Sequence, residues 1–284
     1  MCDACEKYGK NGEYWYFNAE NYARRIYKWR KPETEATGIG GVEGAEGGDA
    51  AFAVGPMGSM HAHTIDMKVL DPEKYEQGVD KIGANWHGLA QIVTLEEVQK
   101  IMDLCWPITA MTCACRRVGR AVPDEENFSC MGMGPGMYKW ERWPQIYHGG
   151  VHFLTPDEAK EFLAGINKKG WVHIVETHGT PYTGGICNCE YPLCAQMRAR
   201  LEHDVWYSMK KGHYVAVTDE DACTGCRKCV ERCHFNAINI LTGTRKASVD
   251  GFSCFGCGNC RSVCPVDCIT MEERQKFPAL KNLW

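Results

Sequence analysis

The sequence predicts an α+β fold from three features. Two helix start signals lie near positions 94 and 155, a segment of strand-forming residues follows the second helix, and a run of four cysteines near the C-terminus occurs twice. Helices and short strands that do not alternate regularly are typical of this class. We expect an N-terminal region over 1–60, a helix-rich, cysteine-containing α+β domain over 61–213 and a C-terminal module over 214–284.

The N-terminal region combines an amphipathic segment with a glycine-rich one. Over 13–31, aromatic and apolar residues recur at helical spacing ahead of a basic end, which predicts a helix. Its aromatic face is expected either to pack on the body of the protein or to dock on a partner. Positions 38–58 hold eight glycines and cannot build a core, which predicts a linker or an arm that orders against another subunit.

The middle of the chain carries two helices and a strand. Thr94 and Glu97 form a capping box ahead of an apolar-periodic stretch, so a helix should begin there. A second helix should begin at Thr155, with Pro156 at its first position, and end near 168–170. The residues at 171–175 are then typical of a strand.

Six cysteines in this region form a pattern. They are Cys113, Cys115, Cys130, Cys187, Cys189 and Cys194. Four thiolates suffice for one 4Fe–4S cube, and two cysteines one residue apart can bind neighbouring irons. We predict an upstream cluster held by Cys113, Cys115, Cys130 and one or two of the other three, with structural zinc and redox-active or unmetallated thiols as alternatives. Arg116 and Arg117 are expected either beside that anionic cluster or in solvent.

This region resembles a family of 4Fe–4S binding proteins of anaerobes. The resemblance covers about residues 90–200 and rests on the Cys113-Ala-Cys115-Arg116 element, the single Cys130, the helix from Thr155 and the Cys187-Asn188-Cys189 element. It implies an iron–sulfur redox function and names no substrate.

Cys2 and Cys5 form a further pair at the N-terminus. Such a pair is expected to be mobile or to complete a partner's site, and the alternative is a fourth cluster with thiols left over from Cys187, Cys189 and Cys194. His61, His63 and His87 lack a further ligand at metal spacing and are expected at the surface or in partner contacts.

The C-terminal module contains the duplicated run. An offset of 31 residues superimposes the two halves, which indicates an internal duplication. In such a run three closely spaced thiolates hold one 4Fe–4S cube and the fourth reaches the other cube. We therefore predict two clusters, one held by Cys223, Cys226, Cys229 and Cys264 and the other by Cys254, Cys257, Cys260 and Cys233.

Over about 214–284 the chain resembles the two-cluster bacterial ferredoxins. The resemblance rests on the two Cys-x2-Cys-x2-Cys-x3-Cys runs and on Pro265 after the second. It implies their fold, in which each half is a short hairpin and a helical turn, and low-potential single-electron transfer between the clusters. His234 replaces the usual proline after the first run, where it could donate to a cluster sulfide or face solvent. Cys268 takes the place of a small residue beside a cluster and is expected to act as a buried apolar side chain.

Composition favours a cytoplasmic protein of an anaerobe. The 18 cysteines follow metal spacings and no apolar signal segment follows Met1, so we expect a reducing compartment. No stretch is apolar enough for direct membrane insertion. The formal net charge is -4, and three oxidised clusters with their thiolates would bring it to about -10, which argues against nucleic acid as a partner.

These features predict an electron-transfer subunit that is not itself catalytic. It would relay low-potential single electrons to or from a partner catalytic subunit that holds flavin, tungsten or molybdenum, within a larger oxidoreductase complex. One alternative is a redox enzyme whose upstream cysteine site is catalytic and is fed by the ferredoxin module. Another is a redox sensor or scaffold whose clusters hold partners together.

Overall fold

The predicted α+β class is confirmed by a computed structural model, which describes residues 2–22, 73, 90–113, 115–116, 128–134, 137, 151–177, 183–205 and 208–284. Short 3-10 turns lie at Trp15–Phe17, Arg261–Val263 and Arg274–Lys276. The helices are α1 (Asp3–Tyr8), α2 (Leu95–Met102), α3 (Pro156–Lys169), α4 (Ala195–Glu202) and α5 (Lys228–Arg232). The strands are β1 (Ala90–Val93), β2 (Ile108–Thr112), β3 (Phe128–Met133), β4 (Val151–Leu154), β5 (Val172–Thr177), β6 (Thr183–Cys189), β7 (Tyr214–Thr218), β8 (Ile238–Ile240), β9 (Ala247–Val249) and β10 (Ile269–Glu273).

A six-stranded antiparallel sheet forms the centre of the upstream region. Its strand order is β1-β5-β6-β3-β2-β4. The strand expected at 171–175 is confirmed as β5, which pairs with β1 on one side and β6 on the other. The upstream region therefore contains more strand than the helix signals indicated, because most of its strands are short and lack clear alternation.

Alternation along β5 and β6 gives this sheet two buried faces. Val175 and Ile186 are register partners and join one core with residues of α2, α3 and the N-terminal segment. Ile174 and Cys187 are the adjacent partners, and Ile174 belongs to a second core that contains the C-terminal module. The sheet thus separates a helical core from a core that is rich in cysteine.

Helices α2 and α3 begin where the sequence predicted, and α3 also ends there. Both capping boxes are present, at Thr94 and Glu97 and at Thr155 and Glu158. Helix α3 ends at Gly170, whose φ of 87° is left-handed. A β-carbon at Gly170 would lie 2.2 Å from the guanidinium of Arg232, so both the backbone conformation and the contact with the C-terminal module favour glycine here.

We expect Thr94→Ala to destabilise the protein by about 1–2 kcal/mol, because Thr94 and Glu97 are both buried and the backbone N–H of Glu97 would lose its partner, the Thr94 hydroxyl. The matched control is Thr155→Ala, which removes the same motif at an exposed helix start and should cost less, about 0.5–1 kcal/mol. Denaturant unfolding of the two variants checks the difference. Equal costs would show that burial of the cap adds nothing.

The helix expected over 13–31 is not continuous in the described part of the chain. Trp15–Phe17 is a 3-10 turn, flanked by extended residues at Tyr14 and Asn18. The apolar spacing that suggested a helix instead places Trp15 and Tyr16 in the core. Residues 20–22 are helical again. Positions 23–31, the glycine-rich arm, Arg117 and the three histidines His61, His63 and His87 lie outside the described residues. The division into 1–60, 61–213 and 214–284 stays a prediction.

The C-terminal module has the two-fold repeat that the sequence predicted. β7 pairs with β10 and β8 pairs with β9, and each cysteine run begins in the loop that follows β7 or β9. The 31-residue offset carries β7 onto β9 and β8 onto β10, so the duplication extends to the strands. Gly256 in the second loop has a φ of 80°, and a β-carbon there would lie 2.3 Å from the carbonyl oxygen of Tyr214. Among the described residues, none of the helices has the length and apolar character needed to cross a membrane.

Candidate metal centres

The first cavity of the module is surrounded by thiols from both runs. Its lining includes Cys223, Cys226, Cys229 and Cys264. This grouping is the one expected if the fourth thiol of a cluster comes from the other run. Cys268 also lines the cavity, and its Sγ lies 3.4 Å from the Sγ of Cys264. Cys268 is buried as expected, but it contacts a predicted ligand rather than only apolar groups.

The second cavity has the reciprocal set of thiols. Cys254, Cys257 and Cys260 come from the second run and Cys233 from the first. Phe235 and Phe255 stack with ring centroids 4.4 Å apart and also line this cavity. The surroundings of the four thiols are therefore largely apolar and exclude water.

The loops offer these thiols the hydrogen bonds that a metal-bound sulfur accepts. Backbone N–H groups of Gly225 and Ala247 each donate to the Sγ of Cys223 over 3.4 Å. In the second cavity the N–H of Ala237 donates to Cys233, also over 3.4 Å. Hydrogen bonds to sulfur stabilise the thiolate form, and four such thiols around an apolar cavity fit a 4Fe–4S cube.

The six upstream cysteines come together on one side of the six-stranded sheet. Cys130 in β3 and Cys187 in β6 are one step beyond the last registered pair of those strands, so their side chains are neighbours. Cys189 follows two residues after Cys187 and shares its face. The Sγ atoms of Cys189 and Cys194 are 3.1 Å apart, and hydrogen bonds also link Cys113 with Cys130 and Cys130 with Cys187. Cys115 belongs to the same group because it is hydrogen-bonded to Cys113.

Helix α4 begins at this upstream thiol group. Its N-cap residue is Cys194, whose Sγ accepts a hydrogen bond from the N–H of Met197 over 3.5 Å. The backbone N–H of Ala195 also donates a hydrogen bond to Cys115, which favours the thiolate form of that residue. A thiol that occupies the N-cap position meets free backbone donors, which favour its ionised form.

Arg116 lies buried beside the upstream thiols, with 2% of its surface exposed. The alternative of a solvent-exposed charge is therefore wrong for this residue. Its guanidinium lies 3.6 Å from the ring centroid of Trp171, its Nε donates to Glu190 over 2.9 Å, and it also donates to Ser129. Its backbone N–H donates to the Sγ of Cys113 over 3.4 Å. The site thus includes a fixed positive charge, which suits an anionic group.

The thiols of the upstream site differ in the direction in which their pKa is shifted. Hydrogen bonds with Cys115 and Cys130, followed by the effect of Arg116, hold the pKa of Cys113 well below its usual range. Hydrogen bonds with neighbouring thiols and burial raise the pKa of Cys115 and Cys130. Burial raises the pKa of Glu176, which contacts Cys187, to about 7. The thiolate form is thus favoured most at Cys113, and a buried carboxyl group with a raised pKa lies at the edge of the site.

A short bridge connects the upstream site with the second cavity. The carbonyl oxygen of Gly170 interacts with Nε2 of His234 over 2.9 Å and accepts a hydrogen bond from Nδ2 of Asn259 over 2.7 Å. His234 follows Cys233, and Asn259 precedes Cys260. Neither role expected for His234 describes this contact, because the imidazole is part-buried and binds the backbone of the upstream region.

The structure also forms a thiol–imidazole group that sequence reasoning missed. The Sγ atoms of Cys2 and Cys5 are 3.4 Å apart, and Nε2 of His213 lies 3.7 Å from the first and 3.1 Å from the second. All three side chains are buried. Cys2 and Cys5 are therefore not free at the chain end. No spacing rule could find His213, because it lies 208 residues from Cys5 in the sequence.

Comparison with known proteins identifies the module. The family model of the 4Fe-4S dicluster domain matches residues 216–271. The same part of the chain is 48% identical over 48 residues to indolepyruvate oxidoreductase subunit IorA of Thermococcus kodakarensis and 45% identical over 49 residues to that of Pyrococcus abyssi. These matches cover 17% of this chain and 7% or 8% of the relatives. The resemblance to two-cluster ferredoxins is confirmed, and the chain corresponds to only a small part of these relatives.

Cys268 is expected to make the two clusters of this domain unequal. The equivalent position beside the second cavity is Ala237, and a thiol that donates to a ligand sulfur raises the potential of its cluster. A weak hydrogen bond of about 0.5–1 kcal/mol corresponds to about 20–40 mV for one electron, so Cys268→Ala should lower one of the two potentials by that amount. EPR-monitored redox titration measures it. Identical potentials in Cys268→Ala and wild type would show that the Cys268 thiol does not affect the reduction potential of either cluster.

Proposed function

We propose that this chain is an iron–sulfur electron-transfer subunit of an anaerobic oxidoreductase complex. It relays low-potential single electrons to or from a partner catalytic subunit that holds flavin, tungsten or molybdenum. The dicluster domain supports the redox role, and relatives of that domain are named as subunits of an oxidoreductase. Bound clusters supply one-electron chemistry that needs neither a proton donor nor a substrate pocket.

In this proposal the ligands are distributed over three sites. Cys223, Cys226, Cys229 and Cys264 hold the cluster in the first cavity, and Cys254, Cys257, Cys260 and Cys233 hold that in the second. The upstream thiols, Cys113, Cys115, Cys130, Cys187, Cys189 and Cys194, hold a third. Six thiols exceed the four that one cube needs, so two of them remain as neighbours of the cluster.

The bridge at Gly170 is the observation that carries the relay. Arg116 contacts the upstream thiols and stacks on Trp171, and Trp171 follows Gly170, whose carbonyl oxygen binds Asn259 beside Cys260. Cys189 and Cys194 also share one continuous core with cysteines of both cavities. These contacts support a relay in which the upstream site is next to the second cavity, and the proposed order is upstream cluster, second cavity, first cavity.

A second candidate is a redox enzyme whose upstream site is catalytic and is fed by the dicluster domain. The observation in its favour is Glu176, a buried carboxyl group with a pKa near 7 in contact with Cys187. Together with the spare thiols, it could serve proton-coupled chemistry that a relay does not need.

Anaerobic pull-down with mass spectrometry, followed by assays of the isolated chain and the isolated complex, distinguishes the two. The relay predicts a large co-purifying redox subunit, an isolated chain that turns over no small molecule with dithionite as donor, and reoxidation of its reduced clusters when the partner is added. Turnover by the isolated chain would contradict the relay and support the enzyme. Glu176→Gln is the matched variant, because it should leave electron transfer to the partner unchanged and abolish turnover only if the upstream site is catalytic.

A further inference from the structure

Three potential metal ligands converge where the N-terminal segment meets the start of β7. Sulfur atoms of Cys2 and Cys5 and Nε2 of His213 lie 3.1–3.7 Å from one another. A tetrahedral zinc ion with Zn–S of about 2.3 Å and Zn–N of about 2.1 Å would separate its two sulfurs by about 3.8 Å and each sulfur from the nitrogen by about 3.6 Å. The three atoms therefore need to move only a few tenths of an ångström to coordinate one ion.

The hydrogen bonds around His213 select the ring tautomer that a metal requires. The hydroxyl of Tyr16 has one hydrogen, which it donates to Oε1 of Glu97 over 2.6 Å. Its oxygen, 2.8 Å from Nδ1 of His213, can then only accept, so Nδ1 carries the proton. Nε2 is left with its lone pair directed at the two thiols. A carboxylate that orients a ligating imidazole is the usual support of a protein metal site.

Aromatic side chains fix the plane of the same imidazole. Tyr14 stacks on His213 with ring centroids 3.7 Å apart and an interplanar angle of 9°, and Trp284 lies 5.3 Å away on centroids. Nε2 of Gln91 lies 3.9 Å from the Sγ of Cys2, while its Oε1 accepts a hydrogen bond from Trp15. The ligand atoms are thus held in place before any ion binds, which is the geometry of a built site.

Burial gives a second reason for a cation at this point. Cys2, Cys5 and His213 are 1%, 3% and 1% exposed. A divalent cation would compensate two thiolates in a place from which water is excluded, where unpaired charges are costly. Two thiolates and one imidazole are ligands that zinc prefers.

A fourth iron–sulfur cluster does not suit the same residues. Cys2 and Cys5 belong to the core on the helical side of the sheet, whereas Cys189 and Cys194 belong to the core of the C-terminal module. Within the described residues, the only metal-ligating side chain that joins the two thiols is His213. The site therefore provides too few thiols for a cube and the right set for a single ion.

We propose that Cys2, Cys5 and His213 bind one zinc ion that fastens the N-terminal segment to the first strand of the dicluster domain. The ion joins residues that are more than 200 positions apart in the sequence, and one bound water molecule, shielded from bulk solvent, fills its fourth position. This zinc site is separate from the iron–sulfur sites and does not depend on the relay.

Zinc and iron are to be measured by mass spectrometry in the full chain, purified anaerobically from zinc-supplemented cells. The expected result is about one zinc per chain in wild type and at least a fivefold loss in Cys5→Ser and in His213→Gln, with iron content and the dicluster EPR signal unchanged. Cys105→Ala is the matched control, because Cys105 is a buried thiol whose Sγ contacts Met133 rather than any metal ligand. It should keep its zinc.

A zinc K-edge spectrum of the wild-type chain provides a measurement that does not depend on folding of the variants. Two sulfur and at least one nitrogen scatterers at the distances given above support the site. A shell of four sulfurs, retention of zinc by both variants, or a wild-type chain without zinc after supplementation would each overturn it. If a variant loses iron together with zinc, the zinc spectrum of the wild-type chain decides whether Cys2, Cys5 and His213 bind the ion.

Discussion

Replacement of Cys113, Cys115, Cys130 and Cys187 by serine is expected to remove about four of about twelve irons per chain. These four thiols include the three upstream residues that the sequence assigned to one cluster and the neighbour that the sheet places beside Cys130. Cys189 and Cys194 remain, and two thiols cannot hold a cube. The loss would be one whole cluster, which is a far larger effect than a change of potential.

Iron quantitation and EPR of the reduced protein test this result together. The dicluster signal should persist in the quadruple variant, because none of its eight predicted ligands is changed. Cys105→Ala, which removes a buried thiol outside the group, should keep about twelve irons. A wild-type chain with about eight irons, unchanged in the quadruple variant, would show that the upstream thiols hold no cluster.

The dicluster domain is the part of the molecule that could be predicted best from the sequence. Its cysteines follow a spacing fixed by the geometry of the cube, and the offset that relates Cys223 to Cys254 also relates the strands. The capping boxes at Thr94 and Thr155 were equally predictable, because all of their hydrogen bonds lie within one helical turn. In each case a short local motif identifies the interacting residues.

Features that depend on strand pairing were not predictable in this way. The sheet order brings Cys130 beside Cys187 and places Cys113 next to Cys130, and nothing in the spacing of these residues specifies that order. The same holds for His213, whose partners Cys2 and Cys5 are 211 and 208 residues away in the sequence. The helix predicted over 13–31 is interrupted at its start, because Trp15–Phe17 forms a 3-10 turn that buries Trp15 and Tyr16, and helical spacing alone does not distinguish such a turn from the first turn of an α-helix.

Arg274 connects the strands of the dicluster domain to the loop that carries the second cysteine run. Its side chain is 0% exposed and donates to the carbonyl oxygens of Gly212 and Tyr214 over 3.0 Å and of Cys254 over 2.8 Å. Its backbone N–H also donates to the carbonyl oxygen of His213 over 2.7 Å. A guanidinium has five donors in a fixed plane, so no other side chain can bind these three carbonyls at once.

Arg274→Met is therefore expected to destabilise the dicluster domain by about 3–5 kcal/mol. Three buried carbonyl groups would lose their donor at a cost of about 1–3 kcal/mol each, and burial of the apolar methionine side chain would offset part of that cost. Loss of visible cluster absorbance with increasing guanidinium chloride, followed anaerobically, measures the change. Arg274→Lys should recover part of the stability, since an ammonium can reach some of the carbonyls but not all. Arg198→Ala, at an exposed ion pair with Glu202, is the control and should cost less than about 1 kcal/mol. If Arg274→Met unfolds no more readily than Arg198→Ala, the loop before Cys254 is held by the strands and the cluster ligands alone, and the buried guanidinium contributes nothing to it.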